Sequence, residues 1–298
     1  MDARLTLPGT VAGAPLAAGA PAALHRVPEA ARFGAPSSAA AARVVRPGVP
    51  GRGECRRVEL PAEHALDVHV DGALAMELTC TPTYLRELVL ARLLTSGVIA
   101  EAADVRSLSV TADGSRADVV LAPGAAAPAG VAAVPTYGTA GRRRDVPAGA
   151  DVSRPGAWDP AQVLALARAF AEDTPLHHAT YGTHSCYLAL DGELRFACED
   201  LGRHNALDKA IGHALDAGLP RERCLVFSSG RIPLDMISKV IRAGIPVLAT
   251  KSIPTDLAVQ TARETGLTLI CCARPDSVKV FNDPTDRLFG LPGAASAA

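Results

Sequence analysis

The sequence has little of several features that mark common classes of protein. Aromatic residues make up 4% of the 298 residues, and the formal net charge is −1. A general nucleic-acid binder carries a basic surface, so we expect no nucleic-acid partner. No apolar run reaches the roughly 18 residues that a membrane span requires, and the first residues lack the basic and apolar blocks of a secretory signal. We therefore expect a cytoplasmic protein without a membrane partner.

The cysteines follow no disulfide or zinc pattern. There are seven, an odd number, and none forms a C-x-x-C pair. This usage is typical of buried thiols in a reducing compartment. His184 and Cys186 are the only close His/Cys pair, and zinc sites need a second pair, so we predict no metal site. Cys186 could be a nucleophile beside an imidazole, but a small buried hydrophobic residue is the favoured interpretation.

The composition divides the chain into five parts. Residues 1–54 are rich in Ala, Pro and Gly without a sustained period, which predicts a disordered tail. Residues 55–121 predict a small α+β domain with two hairpins, turning at Asp71-Gly72 and Asp113-Gly114, and a helix that opens at Thr81-Pro82. Residues 122–157 form a long Gly/Ala/Pro-rich connection, which predicts a mobile linker. An α/β domain follows at 158–284, and a short tail at 285–298.

The second domain alternates strands and helices. Its sequence predicts a largely parallel or mixed sheet with helices on the sheet faces. The predicted strands are Ser185–Leu190, Leu194–Ala197, Cys224–Phe227, Pro246–Thr250 and Leu267–Cys272, and the predicted helices are Asn205–Leu215, Pro233–Ala243 and Pro254–Thr265.

One segment concentrates more polar chemistry than a helix start needs. Within Glu199–Lys209, several groups precede or begin a helical pattern: Asp200, Arg203, His204, Asn205, Asp208 and Lys209. Asp200 or Asn205 could cap the helix, and the other groups would then point at whatever lies over its N-terminus. Free N–H groups and a guanidinium fork there suit an anion. The alternative is a solvated salt-bridge cluster.

A second helix N-terminus that suits an anion lies further along the chain. Ser228-Ser229-Gly230-Arg231 follows a short buried strand and precedes a helix. Because ligands of open α/β sheets gather at the carboxyl ends of strands, Ser229, Gly230 and Arg231 are candidate contacts for an oxyanion. His184, just before another strand, is a further candidate, although a lone histidine there is more often structural.

These motifs together resemble one family. The run ACEDLGRHNALDKAIG, the preceding YGTHS, the later SSGR and the segment KVIRAGIPVLATKSIPTDLAVQTARETGLTLI are similar to the formate dehydrogenase accessory sulfurtransferases, the FdhD family. The segment MELTCTPTYLRELVLARLLTSGVI resembles that family's N-terminal helix region. The resemblance covers roughly residues 56 to 283.

The resemblance implies a fold and a function. It implies an α/β protein with a small α+β N-terminal domain, a cytidine-deaminase-like α/β/α C-terminal domain and a homodimeric state. It implies a protein that takes persulfide sulfur from a cysteine desulfurase and passes it to the molybdenum bis-guanine-dinucleotide cofactor, which it binds as cargo for formate dehydrogenase or a related molybdoenzyme. The family's cofactor-contacting segment after the last central strand corresponds here to Cys272, Ala273, Arg274, Pro275, Asp276 and Ser277.

The sequence departs from the family at the sulfur-carrying loop. The family has a Cys-Gly-x-Cys-Gly motif where this chain has Tyr137-Gly138-Thr139-Ala140-Gly141. Persulfide chemistry needs a thiolate, which neither Tyr137 nor Ala140 supplies. We therefore expect an accessory protein that binds the cofactor without carrying sulfur on this loop. The alternatives are a sulfurtransferase with a relocated thiol, Cys186 first and Cys80 next, and a drifted paralogue that binds another nucleotide-like ligand.

Overall fold

The computed structural model describes residues 32–44, 54–124, 146–154, 158–172 and 174–284. The described residues form three sheets and six helices longer than a single turn of 3₁₀ helix. The strands are β1 (Ser37–Val44), β2 (Glu54–Pro61), β3 (His64–Val70), β4 (Ala73–Cys80), β5 (Val105–Val110), β6 (Arg116–Leu121), β7 (His184–Leu190), β8 (Glu193–Asp200), β9 (Cys224–Ser228), β10 (Val247–Thr250), β11 (Thr268–Arg274) and β12 (Ser277–Asn282). The helices are α1 (Leu85–Thr95), α2 (Pro160–Glu172), α3 (Pro175–Thr180), α4 (Arg203–Asp216), α5 (Leu234–Arg242) and α6 (Asp256–Thr265).

The large sheet has six strands in the order β12-β11-β10-β9-β7-β8. Strands β9, β10 and β11 are parallel, whereas β7, β8 and β12 pair antiparallel with their neighbours. Every residue of β9 and β10 is buried, as expected for central strands covered on both faces. The α/β class is thus confirmed, with a mixed sheet.

Helices cover both faces of this sheet. Buried side chains of α4, α5 and α6 share one apolar core with α1 and with the smaller sheet β4-β3-β6-β5. Helix α2 packs on the opposite face, where Val163, Leu166 and Phe170 meet Tyr187 and Phe227. The first core is continuous, so helix α1 of the N-terminal part lies directly against α4.

The predicted helix boundaries are close to the observed ones, with one shift at α1. Helix α6 begins where Thr255 caps the N–H of Ala258 and ends at Gly266, whose φ is +67°. The helix predicted to open at Thr81-Pro82 instead begins at Leu85, after Tyr84 in the left-handed conformation. The reason is tertiary, because the backbone of Thr81 is hydrogen-bonded to Asp200 and Lys209, which lie more than 100 residues later in the chain.

Ordered structure also extends beyond the predicted limits. Ser37–Val44, inside the segment predicted to be disordered, forms strand β1 and pairs along its length with β2. Its Ala/Ser run has no alternation, so only the partner strand reveals it. In the predicted mobile linker, residues 146–154 pack against the end of α6, where Val152 is buried and its N–H donates to the carbonyl of Thr265 at 2.9 Å. Helix α3 and strand β12 were not predicted from the sequence.

Candidate functional site

Five strand ends meet at one edge of the large sheet. Strand β7 begins there opposite the end of β8, since His184 pairs with Asp200. Strands β9 and β10 end at the same edge, where Ser228 pairs with Thr250, and β11 ends beside them. Because the parallel strands point their carboxyl ends to this edge, it is the expected ligand side of an open α/β sheet.

A cleft of about 320 Å³ opens at this edge. Its lining comes from helix α3, from the loop before β7 and from the strand ends. The lining residues are His177, Tyr181, Gly182, Thr183, His184, Leu201, Ser229 and Lys251. Among the described residues the lining includes two imidazoles, three hydroxyls and an ammonium group but no carboxylate, so the cleft favours an anionic occupant.

His184 and Ser229, both predicted from the sequence, are brought together. The Oγ of Ser229 lies 3.1 Å from Nδ1 of His184 and accepts the N–H of Ser185 at 3.0 Å. Burial lowers the pKa of His184, and the nearby cation Arg203 is the next largest cause of the shift. The imidazole is therefore neutral at pH 7 and can offer an N–H to a ligand without adding a charge.

Arg203 and Gly230 lie in close contact beside this pair. A Cβ at Gly230 would come within 2.8 Å of the Cβ of Arg203, so only glycine leaves room for the arginine side chain. The Nε of Arg203 is buried, and within the described residues nothing accepts a hydrogen bond from it. A buried donor without an acceptor is costly unless a ligand supplies one. Arg231, in contrast, is exposed to solvent.

Lys251 brings a second cation to the cleft. Its Nζ lies 5.6 Å from the centroid of the Phe170 ring. Burial lowers the pKa of Lys251, and neighbouring Arg274 adds to the effect. Arg274 donates from Nη1 to the carbonyl of Lys251 at 2.5 Å. The predicted residue Arg274 thus reaches the site edge, next to a lysine that the sequence analysis did not single out.

The remaining residues of the segment from 272 to 277 run from the end of β11, through the turn at Pro275 and Asp276, to the first residue of β12. Cys272 is half-buried with φ +51°, and its N–H donates to the carbonyl of Ser252 at 2.7 Å. The carbonyl of Pro275 accepts the Nε of Arg168 at 3.3 Å. Ala273 is buried, while Asp276 accepts the hydroxyl of Ser277. This turn lies at the site edge, but within the described residues none of it lines the cleft.

Most of the polar block at the start of α4 points inward, which corrects the expectation that the whole block faces a ligand; Arg203 is the member that lies beside the cleft. Gly202 occupies the N-cap position and no side chain caps the helix; instead, Asp200 accepts the N–H of Gly202 at 3.0 Å. Asp200, Asn205, Asp208 and Lys209 are all fully buried. Packing of α1 against α4 closes the space that an isolated helix would leave to solvent.

These buried groups join helix α4 to helix α1 and strand β4. Lys209 pairs with Asp200 at 2.6 Å. The amide of Asn205 donates to Asp200 and to the carbonyl of Thr79, and its Oδ1 accepts from Arg92 at 2.8 Å. Their charged and hydrogen-bonding groups have partners within the protein, so these residues position the helix rather than contact a ligand.

Asp208 lies between two buried cations. Its Oδ2 is 2.9 Å from Nε of Arg92 on α1 and 2.6 Å from Nζ of Lys239 on α5. His204, the last member of the predicted block, pairs with Asp235 at 2.7 Å. Burial opposes ionisation of Asp235, but the hydrogen bond and charge of His204, the N–H of Met236 and the charge of Arg203 together outweigh it and lower the pKa of this carboxyl.

The fallback nucleophiles Cys186 and Cys80 lie in the core, as the favoured interpretation of Cys186 predicts. Cys186 and Cys80 are completely buried, and burial raises the pKa of both thiols, that of Cys80 to about 12. A buried neutral thiol cannot attack a persulfide. Of the cysteines in the described part of the chain, Cys55 is exposed and Cys272 is half-buried. Tyr137 and Ala140 lie outside the described residues.

The structure also reveals site residues that sequence reasoning missed. His177 and Tyr181 belong to the short helix α3 and its end, and Lys251 follows β10. Glu199 holds α3 in place, because its two carboxylate oxygens accept the N–H groups of Leu176 at 2.8 Å and His177 at 2.7 Å. Pro175 at the first helical position was the available signal for α3, and Lys251 could have been found from its place after a buried strand.

Neither a metal-binding cluster nor a membrane-spanning helix occurs in the described part of the chain. No group of three or more His, Cys, Asp or Glu side chains in that part of the chain is arranged to hold a metal ion. None of the described helices is long and apolar enough to cross a membrane.

Comparison with known proteins places these features in context. The model of the FdhD/NarQ family matches residues 61–288. The "Sulfur carrier protein FdhD" of Mycolicibacterium paratuberculosis is 34% identical over 251 residues, covering 78% of this chain and 92% of that protein. The protein of the same name from Streptomyces coelicolor is 34% identical over 249 residues, covering 74% of this chain and 86% of that protein.

The fold also matches a solved structure. A crystal structure from Desulfotalea psychrophila, of a protein assigned as a formate dehydrogenase accessory protein, superposes with a TM-score of 0.67 at 25% identity. The match covers 83% of this chain and 97% of that chain. The fold is therefore shared over nearly the whole of that protein.

Proposed function

The chain belongs to the FdhD/NarQ family, and we propose that it is an accessory protein in the maturation of formate dehydrogenase or a related molybdoenzyme. Its cargo is the molybdenum bis-guanine-dinucleotide cofactor, held by its phosphates at the cleft beside His184. The guanine-nucleotide halves of such a ligand carry the negative charge that the cleft favours.

The buried Nε of Arg203 is the observation that carries this proposal. Within the described residues this donor has no hydrogen-bond partner, and it lies beside a cleft lined by Lys251, His184 and Ser229 without a carboxylate. Arginine matches phosphate with a planar fork of donors. A phosphate in this position would complete the donor's hydrogen bonding, so the residues present fit the phosphate part of the ligand.

The experiment is calorimetric binding of GDP to the full-length protein. We expect Arg203→Ala to weaken binding by about 1.5–3 kcal/mol, the worth of a hydrogen bond to a charged group. The matched control is Arg195→Ala, because Arg195 pairs with Glu193 on the surface of β8. Equal affinity in the Arg203 variant, or an equal loss in the control, would contradict the assignment.

Sulfur carriage is the second candidate function, and the names of the relatives favour it. In such a step the acceptor thiolate attacks the outer sulfur of the desulfurase persulfide. The desulfurase S–S bond breaks, a new S–S bond forms on the acceptor, and the desulfurase cysteine leaves as a thiolate. We propose that this chain does not perform the step on its loop, because Tyr137 and Ala140 replace the cysteines of the family.

Mass spectrometry tests this point. The intact protein is incubated with a cysteine desulfurase and cysteine, then treated with reductant. We expect no reversible gain of sulfur, while a relative with both loop cysteines gains it in parallel. A gain that maps to Cys55 or Cys272 would instead establish a sulfurtransferase with a relocated thiol. The homodimer implied by the family stays a prediction, which light scattering of the same sample checks.

A further inference from the structure

Tyr181 has an unusual position at the rim of the cleft. Its side chain is 82% exposed, whereas the next most exposed large apolar side chain in the described residues, Ile253, is 54% exposed. Tyr181 lines the same cleft as His184, Ser229 and Lys251. An aromatic face therefore lies beside imidazole, hydroxyl and ammonium groups in one cleft.

The backbone of Tyr181 is held in a conformation that non-glycine residues seldom adopt. Its φ is +54°, and its N–H donates to the carbonyl of His177 at 2.7 Å. Helix α3, which ends there, is fixed by Glu199. The left-handed region is unfavourable for a bulky residue, because its Cβ comes close to the following carbonyl oxygen. The ring of Tyr181 meets the edge of the His177 ring, with centroids 6.1 Å apart, and its exposure leaves a ring face open to solvent.

We propose that Tyr181 is a stacking platform for the nucleobase of the bound nucleotide. The base lies on the exposed ring, while the phosphates lie deeper, against His184, Ser229 and the Arg203 guanidinium. Stacking of a base on an aromatic side chain needs only a free ring face, which this tyrosine offers. The inference rests on the proposed function, because it assumes that a nucleotide occupies this cleft.

The test separates the base from the phosphates. Calorimetry of the full-length protein with GDP, and separately with inorganic pyrophosphate, compares the wild type with two variants. Tyr181→Asn removes the ring but keeps a residue that tolerates the left-handed conformation. Tyr181→Phe keeps the ring and removes the hydroxyl. We expect Tyr181→Asn to weaken GDP binding about 5- to 150-fold and to leave pyrophosphate binding unchanged, with Tyr181→Phe close to the wild type.

The outcomes distinguish failure of this inference from failure of the proposed function. If the wild type binds GDP and pyrophosphate but Tyr181→Asn binds GDP equally well, the platform is overturned and the phosphate site stands. If Tyr181→Asn loses both ligands equally, the tyrosine shapes the cleft and does not stack. If the wild type binds neither ligand, the proposed function itself is overturned, and the platform with it.

Discussion

The Nζ of Lys209 lies 2.6 Å from Oδ2 of Asp200, and both side chains are completely buried. Each also binds Thr81, which connects β4 to α1: Asp200 accepts the Thr81 N–H at 3.0 Å, and Lys209 donates to the Thr81 hydroxyl at 2.8 Å. The pair is therefore a joint that links strand β8, helix α4 and the segment between β4 and α1.

Removing one charge of this joint should strongly destabilise the folded protein. We expect Lys209→Met to lower the free energy of unfolding by about 3–5 kcal/mol, because it leaves the Asp200 carboxylate buried without its counter-charge. Urea unfolding measures the loss. Arg195→Met is the control, since its pair with Glu193 is exposed and should contribute less than about 1 kcal/mol. The double variant Asp200→Leu/Lys209→Met should cost less than the two single changes added together, and strict additivity would contradict the joint.

The second prediction concerns pH and Lys239. Burial lowers the pKa of Lys239 to about 8, and the positive charge of neighbouring Arg92 contributes to this shift. The lysine of an unfolded chain titrates near 10.4, so between these values the unfolded state binds more protons. The destabilising contribution of the buried charge is thus fully present below pH 8 and is relieved as the pH rises towards 10.5.

We expect Lys239→Met to remove this dependence. The free energy of unfolding of the wild type, minus that of the variant, should rise between pH 7.5 and 10 in urea experiments. Buried thiols such as Cys224, whose pKa burial raises to about 11, work in the opposite direction, but they are present in both proteins and cancel. A difference that stays constant or falls across this range would show that Lys239 does not titrate as stated.

The third prediction concerns Glu199, which fixes the helix that carries Tyr181. Its two oxygens accept separate backbone N–H groups of α3, and in Glu199→Gln one of them is replaced by an NH₂ group that must face a donor. We expect a loss of about 1.5–3 kcal/mol in the free energy of unfolding, together with weaker GDP binding. Glu193→Gln, on the exposed start of β8, is the control. A Glu199 variant with normal stability and normal GDP affinity would show that α3 does not need this clamp.

The sequence by itself determined much of the framework. The continuous apolar run of β9, the Asp71-Gly72 turn and the glycines after α5 and α6 are local signals, and the elements they predict are present. His184 and Ser229 could also be selected from sequence, because polar residues at the ends of buried strands converge at one sheet edge whatever the details of packing.

Only the tertiary structure decided which way the polar block of α4 faces. Asp200 and Lys209 look the same in sequence whether they bind an anion or a neighbouring domain. Their burial depends on Thr81, more than 100 positions earlier in the chain, and on the packing of α1, neither of which has a local signature. The position of Tyr181 could likewise not be predicted from the sequence. It depends on the left-handed end of helix α3, and Glu199 of strand β8 holds that helix by hydrogen bonds. Local propensity specifies elements, whereas the partners of buried charges are set by contacts between residues distant in sequence.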